Sequence, residues 1–170
     1  MKSAYEIETE RLALRVFEEE DVEAAKRFWG DEEVMRYCLG AAAHEKLPLS
    51  LTAYRECHQA KGLSVYAVVE KETGMVIGAG GFNISGEVHE VELIYHFAKS
   101  SWGKGYATEA AKACLELAKN HGGVKRIHAS VDPQNADSSR ILEKIGFTYA
   151  GTEWFEDTQQ EEAVYEIMLK

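Results

Sequence analysis

Two glycines, Gly103 and Gly105, stand directly in front of a run whose apolar members fall at Ala107, Ala110, Ala111, Cys114, Leu115 and Ala118. That spacing is helical. A helix that starts here leaves its first backbone N–H groups without intrahelical partners, and glycines let a ligand approach the backbone closely. The turn is therefore suited to an anion, a phosphate above all. Residues 99–112 carry Lys99, Lys104 and Lys112 against Glu109, a local excess of two positive charges, although lysines on an exposed helix face also serve solvation alone. The turn is neither a GxxxxGK[ST] loop nor a dinucleotide fingerprint, since "GKGYA" lacks that spacing.

Just upstream, "EVHEVELIYHF" alternates as a strand does. Glu90, Glu92, Ile94 and His96 share one face, and Val91, Leu93, Tyr95 and Phe97 share the other. The first face carries the polar groups, so it is where a base would be sought.

The frame that must position these groups is a chain of 170 residues, 45% of them apolar, which fits a single domain over residues 1–170 with its own core. No run is long and apolar enough for a membrane span, and "MKSAYEIETERLALRV" lacks the apolar centre of a signal peptide, so a cytoplasmic protein without membrane partners is expected. The net charge of −10 argues against direct nucleic-acid binding, and an anionic ligand must be held locally. Cys38, Cys57 and Cys114 are too scattered for a disulfide framework or a zinc cluster, and Cys114 lies on the helical apolar stripe. They read as reduced thiols. His44, His58, His89, His121 and His128 form no pair at ligand spacing with a carboxylate, so no metal is expected. Tyr66, Phe82, Trp154 and Phe155 read as strand packing rather than a base-stacking platform.

Elements alternate along the chain without repeats. "RLALRVF" reads as a strand, "EEEDVEAAKRFWGD" as an acid-started helix, and residues 47–60 as a helix after Pro48. Two strands joined at "KETG" follow, then the strand that leads into the glycine turn and its helix. "VKRIHASVD" is a strand, "NADSSRILEKIG" a helix stopped by Gly146, and "FTYAGTEWF" and "AVYEIMLK" are two final strands. That order predicts an α/β class with a partly antiparallel sheet.

Three segments sharpen the reading. "TERLALRVFEEEDVEAA", "WGKGYATEA" and "NADSSRILEKIGF", in that order and separation, resemble the GNAT-fold N-acetyltransferases, in particular the branch of ribosomal-protein N-terminal (Rim-type) enzymes. The resemblance covers almost the whole chain. It implies a GNAT fold: a mixed, mostly antiparallel central sheet flanked by helices, with a splayed cofactor cleft. It also implies acetyl-CoA as co-substrate, with its pyrophosphate on the backbone amides of Trp102, Gly103, Lys104, Gly105, Tyr106, Ala107 and Thr108. Trp102 departs from the Gln or Arg usual at the first of these positions. The pantetheine arm is implied to pair with the main chain of Tyr95, His96 and Phe97 as an added strand would. Asn135 is similar to the family asparagine that touches the cofactor.

Acetyl transfer to an amine needs a base, a polarised thioester carbonyl and an acid for the departing thiolate. The family transfers directly, without a covalent cysteine. Glu92 is the first choice of base and His96 its rival. Many relatives carry an acidic tyrosine seven residues after the asparagine, where this chain has Leu142. The Rim-type branch places a serine three residues after it, and Ser138 matches; the alternative for Ser138 is help in starting a helix. The acceptor is a protein N-terminus or a small amine, with a second copy of the chain as a further partner to test. The alternatives are an acyl-CoA-binding module without catalysis and an unrelated phosphate-binding domain. The ordered motifs reject the last. Residues 40–62, where relatives shape the acceptor pocket, carry no readable substrate code.

Overall fold

Residues 5–38 and 40–169 are described by the computed structural model. The N-terminal third builds a ribbon and a cap: strand β1 (Ile7–Glu8), strand β2 (Leu12–Arg15), a short helix α1 (Val22–Ala25) and a long helix α2 (Leu47–Lys61) with Pro48 in its first turn. Strands β3 (Val65–Glu70), β4 (Val76–Asn83) and β5 (Glu90–Phe97) then lead into helix α3 (Tyr106–His121). Strand β6 (Arg126–Val131), helix α4 (Ala136–Lys144) and strands β7 (Thr148–Phe155) and β8 (Gln160–Met168) complete the chain.

All eight strands join one sheet in the order β1-β2-β3-β4-β5-β6-β8-β7. Each neighbouring pair is antiparallel except β5 and β6, which run parallel. The expected mixed, mostly antiparallel sheet flanked by helices is what forms.

Strand alternation sorts the apolar residues onto two faces. Leu12, Leu14, Tyr66, Val68, Phe82, Val91 and Leu93 pack with Ala110, Ala111, Cys114 and Ala118, the stripe read from the sequence. Ala13, Val65, Ala67 and Ala79 point the other way, onto Phe17, Phe28, Trp29, Leu47 and Leu51. β3 is buried along its whole length because both faces are covered. Truncating a residue such as Leu14 or Leu51, each almost fully buried, costs about 2–5 kcal/mol.

One expected element is shorter than its sequence pattern. The helix predicted over residues 18–31 is a 3-10 turn at Glu19–Asp21 followed by α1 over only four residues. Beyond Lys26 the bonds tighten to Arg27 N–H on Ala24 O and Phe28 N–H on Ala25 O. The chain then turns at Gly30, where a Cβ would sit 2.7 Å from the His44 ring. β1 is a strand the sequence reading missed; two residues are too few to show alternation. No helix of the described residues is long and apolar enough to cross a membrane.

Candidate active site

β5 and β6 share a ladder over only three pairs, Glu90 with Arg126, Val91 with Ile127 and Glu92 with His128. Beyond Glu92 the strands part. β5 continues against β4 up to Phe97, and β6 continues against β8 up to Val131, so a wedge opens between them. It is a cleft of about 770 Å³, lined by β5 from Glu92 to Phe97, by Ala129–Asp132 of β6 and its end, and by Asn135, Ser138, Ile141 and Leu142 around α4. Trp29, Tyr54, Trp102 and Ala107 also line it, so the cleft reaches the start of α3.

The backbone of β5 is polarised across this gap. Ala98 N–H bonds Ile77 O of β4 at 2.9 Å, and the His96 carbonyl lies against Gly78 of β4 so tightly that a Cβ there would sit 2.3 Å from it. Main-chain groups alternate along a strand. Those of His96 therefore face β4, while those of Tyr95 and Phe97, with the Leu93 carbonyl, face the cleft. Of the three residues expected to offer main-chain bonds to a ligand, Tyr95 and Phe97 are so directed and His96 is not. Trp102, half exposed, donates from Nε1 to Phe97 O at 2.9 Å and closes the end of this edge beside the turn.

Gly103 and Gly105 adopt φ values of +77° and +80°, the left-handed region that glycine enters at least cost. Gly105 is the N-cap of α3, and Glu109 N–H closes on Gly105 O at 3.2 Å. The amides of Tyr106, Ala107 and Thr108 precede that bond and belong to the open end of the helix. Gly103, Lys104 and Gly105 are exposed, as an anion-binding turn requires. The Tyr106 side chain turns inward instead: its hydroxyl donates to Glu70 Oε2 at 2.6 Å in the interior, leaving only its amide for a ligand.

Strand alternation predicts the face that carries Glu92 and His96, and the structure keeps it. Glu92, half buried, accepts from Asn83 Nδ2 at 3.3 Å on the neighbouring strand, and Asn83 Oδ1 accepts from Tyr54 OH at 3.4 Å. His96 is held differently. Its Nδ1 accepts from Trp29 Nε1 at 3.2 Å, and burial pushes its pKa down to about 4. The imidazole is neutral at pH 7, its Nδ1 lone pair is occupied, and a group that releases its proton near pH 4 makes a weak base. Glu92 is the better placed of the two.

On the far wall, Asn135 caps α4, its Oδ1 accepting from Ser138 N–H at 3.2 Å. The cap is thus Asn135, and the Ser138 hydroxyl is left free of that task. Ser138 Oγ lies 2.9 Å from Tyr95 OH across the cleft. Burial raises the Tyr95 pKa against the opposing effect of the Ser138 hydrogen bond, so both hydroxyls keep their protons at neutral pH. Leu142 is buried at the cleft wall.

Sequence reasoning missed several lining groups. Glu33, Asp132, Asp137, Asp157 and Glu162 join Glu92 around the opening, against Arg36. Glu162 is 6% exposed and accepts from Thr158 Oγ1 at 2.6 Å. These carboxylates come from segments up to 129 positions apart, Glu33 to Glu162, so no local motif marks them. Of the three thiols, Cys38 lies on the cleft with its pKa raised to about 11 by burial and nearby carboxylates, and Cys114 is raised to about 12 by burial. Neither is a thiolate at neutral pH. Among the described residues, no group of three or more His, Cys, Asp or Glu is arranged to hold a metal ion.

Residues 11–148 match the acetyltransferase (GNAT) domain. The chain belongs to this family. The uncharacterized N-acetyltransferase p20 of Bacillus licheniformis is 30% identical over 157 residues, 84% of this chain and 82% of that protein. The GNAT-family acetyltransferase of Bacillus anthracis superposes with a TM-score of 0.81 at 29% identity, over 95% of this chain and 97% of that one. The ribosomal-protein-S5-alanine acetyltransferase of Vibrio fischeri superposes with a TM-score of 0.80 over 95% of each chain; at 18% identity that likeness is one of fold. The protein is a GNAT acetyltransferase, with a cleft whose two walls come from β5 and α4.

Proposed function

We propose that this acetyltransferase binds acetyl-CoA in the β5–β6 wedge and passes the acetyl group directly to a primary amine that enters past the carboxylates. The wedge itself carries the reading. It offers the free main-chain groups of Tyr95, with the Leu93 carbonyl and the Phe97 N–H, for an amide-bearing arm, and it runs to exposed glycines at the start of α3 for a pyrophosphate. Trp102, Gly103, Lys104, Gly105, Ala107 and Thr108, with the Tyr106 amide, hold the phosphates; Asn135 contributes its remaining amide N–H groups.

The chemistry follows from the two walls. Glu92 accepts a proton from the incoming ammonium, directly or through one water, while Asn83 holds the carboxylate in place. The freed nitrogen attacks the thioester carbonyl, the C–N bond forms and the C–S bond breaks. Ser138 passes a proton to the departing sulfur and takes in its place the second proton shed by the acylated nitrogen, while Tyr95 orients its hydroxyl and keeps its own proton. A thiol with pKa of roughly 8.5 needs no strong acid. The raised pKa of Cys38, the cysteine on the cleft, supports direct transfer over an acyl-enzyme.

Of the six lining carboxylates Glu33 and Asp137 are paired with Lys99 and Arg140, which leaves Glu92, Asp132, Asp157 and the buried Glu162 against Arg36, a balance that favours a cationic acceptor. An α-amine, with a pKa of roughly 7.7–8.0, gives up its proton more readily than a lysine side chain near 10.4, which favours a peptide N-terminus or a small α-amino compound. Acetyl-CoA turnover should be followed by thiol release across a panel of peptide N-termini, α-amino compounds, lysine derivatives and diamines. Amine-dependent release of CoA is expected. Tight acetyl-CoA binding with no release on any amine would leave an acyl-CoA-binding module in place of an enzyme.

A further inference from the structure

Arg11 stands in the turn between β1 and β2, 93 positions before Lys104, and yet its side chain reaches the glycine turn. Three donor groups are committed there. Nη1 donates to Lys104 O at 2.8 Å, Nε donates to Glu109 Oε1 at 2.7 Å, and the Arg11 main-chain N–H donates to Glu109 Oε2 at 2.9 Å. The guanidinium carbon lies 4.5 Å from the centroid of the Tyr106 ring. Tyr106 is in turn pinned from the interior by Glu70, which also accepts from Thr73 Oγ1 at 2.9 Å. A planar cation stacked on a fixed ring has little freedom to turn, so its fork of donors points in one direction.

We propose that Arg11 is a positioning residue for the phosphate turn, acting on its shape and on its charge; the proposal rests on the acetyl-CoA reading above. The effect on shape follows from the peptide plane. In a trans peptide the C=O and the following N–H point in opposite directions. By holding Lys104 O, Arg11 aims the Gly105 N–H away from itself and fixes the plane just ahead of α3. That plane leads into Gly105 at φ +80°, and a glycine has several backbone wells of similar energy, so a fixed plane selects one of them.

The effect on charge comes from Glu109. A carboxylate in the first turn of α3 suits the helix dipole but repels an anionic ligand at the same helix end. Burial would raise the Glu109 pKa, yet hydrogen bonds from Thr9 and from the Arg11 main chain and side chain hold it below the ordinary value. Glu109 is thus ionised at neutral pH. The Arg11 guanidinium cancels it at close range, and Lys104, which forms no salt bridge among the described residues, stands beside the turn.

The role is tested by titrating acetyl-CoA, CoA and phosphate-free pantetheine into the wild type, R11Q, R11K and the double variant R11Q/E109Q, with steady-state kinetics on each. R11Q should bind acetyl-CoA and CoA roughly tenfold more weakly, the loss of about one charge-assisted hydrogen bond, and raise the acetyl-CoA KM alike. Pantetheine affinity and kcat at saturating acetyl-CoA should stay within about twofold of the parent. R11K keeps the charge but cannot span Lys104 O and Glu109 together, so it should fall between the two. E109Q added to R11Q should restore the part due to charge and leave the part due to shape. If R11Q does not fold, the R11K rise in KM decides alone. An R11Q or R11K protein with unchanged acetyl-CoA affinity, or one that loses pantetheine and CoA affinity equally, overturns the proposal. A wild type that binds none of these ligands instead refutes the acetyl-CoA reading on which it rests.

Discussion

Tyr95 and Ser138 place their hydroxyl oxygens 2.9 Å apart, joining β5 to the first turn of α4 across the cleft. The backbone of Ser138 is already bound to the Asn135 side chain, so its hydroxyl is free to serve a second partner.

Ser138→Ala should therefore lower kcat by about tenfold or more while changing acetyl-CoA affinity by less than about threefold, since a contact to sulfur strengthens as charge develops there. Tyr95→Phe should produce a smaller loss in the same direction. Single-turnover kinetics and calorimetry separate the two quantities. Equal kcat in Ser138→Ala would restrict Ser138 to packing against Tyr95.

Glu92→Gln keeps the size of the side chain and removes the proton acceptor. Its kcat/KM should drop by about 10–100-fold near pH 7 and recover partly as rising pH deprotonates the amine unaided. The profile should be measured beside Glu162→Gln, because Glu162 is the more buried carboxylate of the same cleft. A Glu92→Gln profile that overlays the parent transfers the role of base to another group.

Gly105→Val places a branched side chain on a residue with φ of +80°, and its Cβ would come within 3.5 Å of Arg11 Nη2. Strain there costs about 1–3 kcal/mol, which for a chain of this size lowers Tm by several degrees without unfolding it at 25 °C. Acetyl-CoA binding should weaken more than tenfold. A folded variant with parental affinity by calorimetry would move the phosphates elsewhere.

His96 gives the fold an acid-sensitive element. Its folded pKa of about 4 lies below the ordinary value of 6.5, so between those pH values the unfolded chain binds a proton that the native protein does not. Stability therefore falls as pH drops from about 6.5 to about 4, by up to about 3 kcal/mol from this group. Trp29 reinforces the effect by donating to Nδ1, the atom that would have to take the proton if Nε2 already carries one. Replacing His96 with Gln should flatten urea-denaturation midpoints over that range; an unchanged slope assigns the acid sensitivity to other groups.

The parts of the fold legible in the sequence are those encoded by short-range periodicity. The α3 stripe from Ala107 to Ala118, the two faces of β5 and the glycines before α3 each repeat within a few residues. The acid-started helix predicted over residues 18–31 keeps its acidic start at Glu19–Asp21, but the chain turns at Gly30 against His44, which is a tertiary contact. Arg11 with Lys104 and Glu109, Trp29 with His96, and Tyr95 with Ser138 meet only because the sheet order brings distant strands together. Single residues at such separations carry no period. For the same reason, the alternation that selects Glu92 and His96 cannot tell them apart; Trp29 and Asn83 do, and both arrive from other elements.

The three-pair joint between β5 and β6 writes an odd–even code along a single strand. Amides of Ile94 and His96 lie in the β4 ladder, that of Leu93 closes the last β6 pair, and those of Tyr95 and Phe97 point into the gap. Deuterium uptake in the free protein should thus be slow and fast at successive residues, a comb that only a residue-resolved method such as NMR detects. A guest that completes the missing edge would even out the comb, reporting occupancy of the wedge with no reaction taking place.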